Sequence, residues 1–437
     1  MADPKQIARQ IFQRTLASID IAATMQRKIQ FADGAFVLPE ATVALDGISA
    51  VRAVAIGKAA HEMLQGLLQV CPQDISLTGI VVAPVPPRKN LPGFTYFVSG
   101  HPVPDAQSWK AAEAILQLLQ ACNEKNLIIF LLSGGGSALS ELPLADGIPL
   151  EDVQTVHRVL VSCGASIEAI NTVRKHFSAV KGGRLAAAAA RSKKITLAVS
   201  DVPFGKESAL ASGPTLPDPT TVHDVARILA EYDLHEKLPP SLVRWMDNAA
   251  MPETPKPGDP AFHDSHFHVL LNMDDLFHAA HHAAEACGYA ACCDNSTDDW
   301  PVEEAAAKLL ALLEECRLEN PGQRVALIAD GEVSSPVTGQ GIGGRNSALV
   351  LACVEKIAGK KITVLSAGTD GIDGNSPAAG AIADGETLNR GKTAGLDPAN
   401  AFRESDAYTY FNKLDDAVIT GPTGNNLRDL RIFLAEP

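Results

Sequence analysis

Two hydroxyls bracket three glycines in Ser133-Gly134-Gly135-Gly136-Ser137, directly after the apolar run Leu127-Ile128-Ile129-Phe130-Leu131-Leu132. Such a run reads as a buried parallel strand. Glycine lets the chain turn sharply and brings bare N–H groups close to a ligand, and the serines add donors. At the carboxyl end of a strand in an open α/β sheet, that is where an anion such as phosphate is held. A tight strand-to-helix turn without a ligand would use the same residues. The weight therefore comes from further Gly-rich segments that follow similar strands.

Lys58 stands in Ala55-Ile56-Gly57-Lys58-Ala59-Ala60, just past a strand and at the start of a helix. A cation there faces the positive end of the helix dipole, which is unfavourable unless an anion is also bound. A solvated helix lysine is the bland alternative, and the Walker pattern is absent. Arg174, Lys175, His176, Lys181 and Arg184 crowd into a short basic stretch. Read as one helix, 174, 178 and 181 share a face, so Arg174 and Lys181 become candidates for phosphate. Asp201 ends another apolar run in Ser200-Asp201-Val202-Pro203. It suits a metal ligand or general base, and a structural cap equally.

Gly339-Gln340-Gly341-Ile342-Gly343-Gly344-Arg345-Asn346 precedes a helix. Gly343, Gly344 and Asn346 would offer N–H donors, and Arg345 a planar fork for carboxylate or phosphate. No acidic residue follows at dinucleotide spacing, which argues against a nicotinamide site. Thr369-Asp370-Gly371-Ile372-Asp373-Gly374 places two carboxylates between glycines, a loop fit for Mg²⁺ or simply for tight turns. Histidines 263, 266, 268, 278, 281 and 282 lack zinc-ligand spacing.

These residues need a layered scaffold to position them. Amphipathic periodicity predicts helices over 4–28, 60–70, 106–121, 149–163 and 167–191. Apolar runs predict strands over 51–56, 79–84, 95–99, 127–132 and 195–200. After a Pro-rich stretch the alternation resumes, with strands over 266–272, 325–329, 362–366, 418–420 and 432–434, and helices over 276–287, 301–318 and 346–358. Strands alternating with helices mean a mostly parallel sheet covered on both faces. The expected domains are 1–250 and 266–437, joined by a linker over 251–265.

With 437 residues, two domains are expected, and 46% hydrophobic content supports large cores. A net charge of −14 without a basic stripe argues against nucleic acid. The eight cysteines show no Cys-x-x-Cys pair and read as buried reduced thiols of a cytoplasmic protein. No run reaches the length of a membrane span, and no membrane partner is expected.

Taken in order, Gly-Lys-Ala-Ala, Ser-Gly-Gly-Gly-Ser-Ala, Val-Arg-Lys-His-x-Ser-x-Val-Lys-Gly-Gly-Arg-Leu, Ser-Asp-Val-Pro, Ala-Ser-Gly-Pro-Thr-x-Pro-Asp-Pro, Gly-Gly-Arg-Asn, Gly-Thr-Asp-Gly-x-Asp-Gly and Thr-Gly-Pro-Thr-Gly resemble the glycerate 2-kinases of the MOFRL type, some of which carry an older label of hydroxypyruvate reductase. The likeness runs from about residue 5 to 434. It implies a Rossmann-like N-terminal domain with a parallel sheet, a smaller α/β C-terminal domain of MOFRL type, and a site in the cleft between. It implies ATP-dependent, Mg²⁺-assisted phosphorylation of D-glycerate to 2-phosphoglycerate. Lys58 matches the family's active-site lysine and Arg345 its arginine. With Asp201 they form the expected catalytic set; Asp201, Asp370 and Asp373 are the expected metal ligands.

The chain departs from the family at 204–207, where Gly-Asp-Asp is usual, at 330–332, where Gly-Gly-Glu is usual, and at Ser347-Ala348, where Gln-Glu is usual. A kinase for a related small hydroxy acid, a hydroxypyruvate reductase and a non-catalytic sugar-acid-binding regulator are the competing readings. A homodimer is compatible with the sequence but not required by it.

Overall fold

The computed structural model describes residues 3–72, 75–202, 205–248 and 251–437. Pro203 and Phe204 of the segment after Asp201, and residue 250 at the expected domain end, lie outside the described residues. The chain forms two compact units, Ile21–Asn272 and Met1–Asp20 with Met273–Pro437.

The larger unit opens with a helix, Ile21–Lys28, and a small antiparallel sheet of β1 (Gln30–Ala32), β2 (Ala35–Leu38) and β3 (Ala41–Ala44). Its main sheet holds β4 (Ala50–Ile56), β5 (Leu77–Ala83), β6 (Phe94–Val98), β7 (Asn126–Leu132), β8 (Lys193–Val199) and β9 (Ser265–Leu271). Every pairing is parallel, in the order β6-β5-β4-β7-β8-β9. Within this sheet the first strand pairs with both the second and the fourth. That is the doubly wound order of dinucleotide-binding folds, and its switch point lies between β4 and β7. Residues 127–132 are buried throughout because helices cover both faces, which is why β7 shows no polar alternation.

The smaller unit is built on a mixed sheet of β10 (Ala290–Asp294), β11 (Val325–Asp330), β12 (Ile362–Gly368), β13 (Gly380–Asp384), β14 (Ala417–Val418) and β15 (Asp429–Ala435). The order is β10-β11-β15-β12-β13-β14. Only β10 and β11 pair in parallel; the closing strand β15 inserts antiparallel between β11 and β12. Leu309, Leu313, Val350, Phe411 and Phe433 belong to its core.

Three expectations change. The Pro-rich stretch 251–265 is not a linker between the units. Thr254 Oγ1 donates to Asp218 Oδ2 at 3.0 Å and the Pro255 carbonyl accepts from Asp218 N at 2.9 Å, which ties the stretch to the larger unit. β9 then extends the first sheet beside β8. Second, the helix expected over 4–28 is two helices, Pro4–Ser18 and Ile21–Lys28, which belong to different units. Lys5 Nζ holds the first to the smaller unit through Asp416 Oδ1 at 2.8 Å. Third, the helix expected over 167–191 is two, Ile167–Phe177 and Arg184–Ala188. Gly182 and Gly183 between them take positive φ, so 174, 178 and 181 do not share one helical face.

Candidate active site

The registers of β4 and β7 bring Ile56 level with Leu132, so the loops that follow leave the sheet side by side at the switch point. Hydrogen bonds tie these loops together. Ser133 N donates to Ile56 O at 3.0 Å, Lys58 N to Gly134 O at 3.0 Å, and Ala59 N to Ser133 Oγ at 3.0 Å. Gly57 has a φ of +133°, and a Cβ on it would fall 2.1 Å from Ser133 Oγ. Glycine is required at 57 because the second loop passes so close.

Gly135, with a φ of +84°, opens the short helical turn Gly136–Leu139. Across from it lies the His101 ring, whose Nε2 is 3.1 Å from where a Gly135 Cβ would stand; Lys58 Cγ is 3.5 Å from the same point. Loss of solvent around the ring, with Lys58 adding to it, lowers the His101 pKa, so the imidazole is neutral at pH 7. Sequence reasoning passed over His101, although His101-Pro102 follows a strand as the other loops do. Ser137 Oγ hydrogen-bonds Ser212 Oγ, which donates to Asn171 Oδ1 at 2.8 Å. Ala211, Ser212 and Gly213 all take positive φ, strain of the kind that collects at functional sites.

Lys181 was expected to meet phosphate. It is instead buried against Glu141, with Nζ 2.5 Å from Oε2, and Glu141 also meets His157 Nε2 at 3.1 Å. Burial favours the neutral carboxyl, but Lys181 and His157 outweigh it and hold Glu141 down to about 2. Lys181 is thus neutralised inside the fold. Arg174 is buried too, and its Nε has no hydrogen-bond partner.

In the smaller unit, the carboxyl ends of β11 and β12 and the amino end of β15 share one sheet edge, with Asp330 opposite Leu430 and Gly368 opposite Asp429. Arg345 begins the helix Arg345–Val354 beside it. Its Nε donates to Asp429 Oδ2 at 2.6 Å, Nη2 to Asp429 Oδ1 at 3.3 Å and Nη1 to Glu332 Oε2 at 2.8 Å. Burial opposes the charge, but the two carboxylates hold the guanidinium firmly protonated. Three of its five N–H groups are engaged by these bonds. Asp429 and Glu332 were not foreseen, because residues so far apart in sequence carry no local signal of pairing.

The loop 339–344 is not a row of bare donors. Gly343 N donates to Asn375 Oδ1 at 2.8 Å and Gly344 N to Ser347 Oγ at 3.1 Å. A Cβ on Gly344 would lie 2.3 Å from Asp373 Oδ1 and one on Gly339 2.4 Å from Glu404 O. Close passage of neighbouring chain by itself demands glycine at 339 and 344. Asn346 is buried, with Oδ1 accepting from Ser366 Oγ at 2.6 Å.

Asp373, expected as a metal ligand, caps the helix Arg345–Val354 with both carboxylate oxygens. Oδ1 accepts from Asn346 N at 2.9 Å, and Oδ2 accepts from Ser347 N at 2.9 Å and Ser347 Oγ at 2.6 Å. Burial raises its pKa despite these bonds. Among the described residues no three His, Cys, Asp or Glu side chains come together as a metal site. Asp201 and Asp370 are half-buried at the carboxyl ends of β8 and β12. Mg²⁺ typically binds through one or two carboxylates with phosphate oxygens and water, and each of the two is a carboxylate of the kind such an ion takes. Of the eight cysteines, all free, only Cys316 and Cys353 are buried.

A doubly wound sheet with a lysine and a Gly-rich turn at its switch point defines an anion-handling α/β protein. The family described as "Domain of unknown function (DUF4147)" matches residues 7–247, and the MOFRL family matches residues 325–429. The chain belongs to the glycerate 2-kinase family of the MOFRL type. It is 37% identical to a D-glycerate 2-kinase of Thermotoga maritima, covering 87% of this chain and 89% of that protein. It is 33% identical to a glycerate 2-kinase of Pyrococcus horikoshii, over 88% and 87% of the two chains. The crystal structure of a glycerate kinase from Thermotoga maritima superposes with a TM-score of 0.83 at 34% identity, covering 99% of each chain. No helix among the described residues is long and apolar enough to cross a membrane.

Proposed function

We propose that this protein transfers the γ-phosphoryl group of ATP to the 2-hydroxyl of D-glycerate, forming 2-phosphoglycerate. One observation carries the reading: Lys58 and the 133–136 turn, hydrogen-bonded together, occupy the switch point of the sheet. Phosphoryl transfer asks mainly for positioning and charge neutralisation. Lys58 supplies a cation, and the turn supplies backbone donors. Arg345, pre-oriented by Asp429 and Glu332, presents its remaining N–H groups to a carboxylate or phosphoryl oxygen. In each unit one strand-end carboxylate, Asp201 in the larger and Asp370 in the smaller, is a candidate ligand for Mg²⁺, which would neutralise charge on the phosphates when bound. The proposed setting is cytoplasmic.

Phosphorus NMR of purified protein with ATP, Mg²⁺ and D-glycerate tests this; the 2-phosphoglycerate signal should grow. Oxidation of NADH with hydroxypyruvate, with no phosphorylation of any small hydroxy acid, would overturn it.

A further inference from the structure

Lys194 and Ser265 stand side by side on a sheet face that is otherwise apolar or hydroxylated. The register pairs Ile128 of β7 with Lys194 of β8, and Lys194 with Ser265 of β9. The next row on that face is Phe130, Thr196 and Phe267. Over these rows lies a cavity of about 240 Å³, lined by Phe130, Lys194, Thr196, Phe262, Ser265 and Phe267 among others. A lysine on the covered face of a parallel strand breaks the apolar pattern expected there.

Neither polar group is fully served. Lys194 is 1% exposed; Nζ donates to Ala189 O at 3.1 Å and Ser192 O at 2.8 Å. Its third N–H has no acceptor among the described residues. Ser265 Oγ is buried and has no hydrogen-bond partner. Burial pushes the Lys194 ammonium down to about 8, with Asp264 partly offsetting it, so the group is still mostly charged at neutral pH. Buried polar groups are ordinarily satisfied, so two neighbouring shortfalls at one cavity point to a missing ligand.

We propose that this cavity binds a small monocarboxylate with an apolar or aromatic body. The carboxylate accepts from Lys194 and Ser265, and the body lies among Phe130, Phe262 and Phe267. One ammonium can match at most a single negative charge, not the double charge of a phosphate ester. The volume lies below the usual range for ligand sites and excludes a nucleotide. Lys194 and Ser265 sit in the amino-terminal halves of β8 and β9, whereas Lys58 and the 133–137 turn follow the carboxyl ends of β4 and β7. The site is therefore separate from that of phosphoryl transfer.

Fluorine NMR of the whole protein with fluorobenzoate as probe, and neutral fluorobenzamide as control, tests the assignment. The parent should bind fluorobenzoate saturably and more tightly than the amide. Lys194→Met keeps the volume and removes the charge, and should weaken fluorobenzoate by at least about tenfold. Ala186 also lines the cavity; Ala186→Leu narrows it while keeping Lys194, and should also weaken binding, and this variant decides the matter if Lys194→Met does not fold. No saturable binding by the parent, equal binding of the amide, or undiminished binding by both variants would overturn the proposal.

Discussion

Ser133 Oγ accepts a hydrogen bond from the backbone N–H of Ala59 at 3.0 Å, joining the loops after β4 and β7 at the switch point. Lys58 is therefore carried on a turn that the second loop holds in place. Substitution in either loop should disturb both.

Removing that acceptor makes the first prediction. Ser133→Ala leaves the Ala59 N–H buried and unsatisfied, at a cost of about 1–3 kcal/mol of stability. Urea unfolding should show the loss, and kcat should fall more than KM rises, because Lys58 is misplaced. An unchanged midpoint together with normal turnover would contradict the joined-loop picture.

Arg345→Lys keeps the charge but loses the fork. It should cost roughly 2–4 kcal/mol in transition-state stabilisation, the range for a lost electrostatic donor. It should also lower the melting temperature, because Asp429 is 3% exposed and loses a two-pronged partner. Lys58→Ala should damage kcat/KM comparably while melting near the parent. Calorimetry beside steady-state kinetics separates the two behaviours.

The buried Glu141–Lys181 pair predicts an acid limb of stability. Glu141 is depressed from its ordinary 4.5 to about 2, so its contribution is complete above pH 4.5 and fades as pH falls towards 2. That shift corresponds to about 3 kcal/mol as an order of magnitude. Lys181→Met should be strongly destabilising, by about 3–5 kcal/mol, because Glu141 is left buried and unpaired. Adding Glu141→Gln should restore most of the loss. If Lys181 instead met phosphate, the double variant would refold yet remain inactive.

Asp330 behaves in the opposite sense. Burial raises its carboxyl to about 6, with Arg428 and Arg431 only partly opposing it, and both of its oxygens lack partners. A folded-state pKa above the unfolded value means that its stabilising influence is complete below about pH 4 and is lost as pH rises through 6. Asp330→Asn should therefore gain about 1–3 kcal/mol at pH 7 and little or nothing at pH 4. Thermal melts at the two pH values check this; an equal change at both would refute the ionisation argument.

Much of the scaffold, and the loops of the larger unit's candidate site, were legible in the residues themselves. Unbroken apolar runs such as 127–132 marked strands buried on both faces. The glycines at 57 and 134–136 marked sharp turns at their carboxyl ends, and Lys58 was placed there by its neighbours alone. These are local signals, because periodicity and backbone freedom are properties of a few adjacent residues. The tertiary structure decided what local pattern does not contain. It paired Lys181 with Glu141 and Arg345 with Asp429, made Asp373 a cap on a helix from another segment, and put the glycines of 339–344 against passing backbone. It also gave the first helix to the unit formed by the end of the chain. Charge pairing and close packing depend on which distant segments meet, and that is settled only when strands find their register and burial leaves each charge to seek a partner.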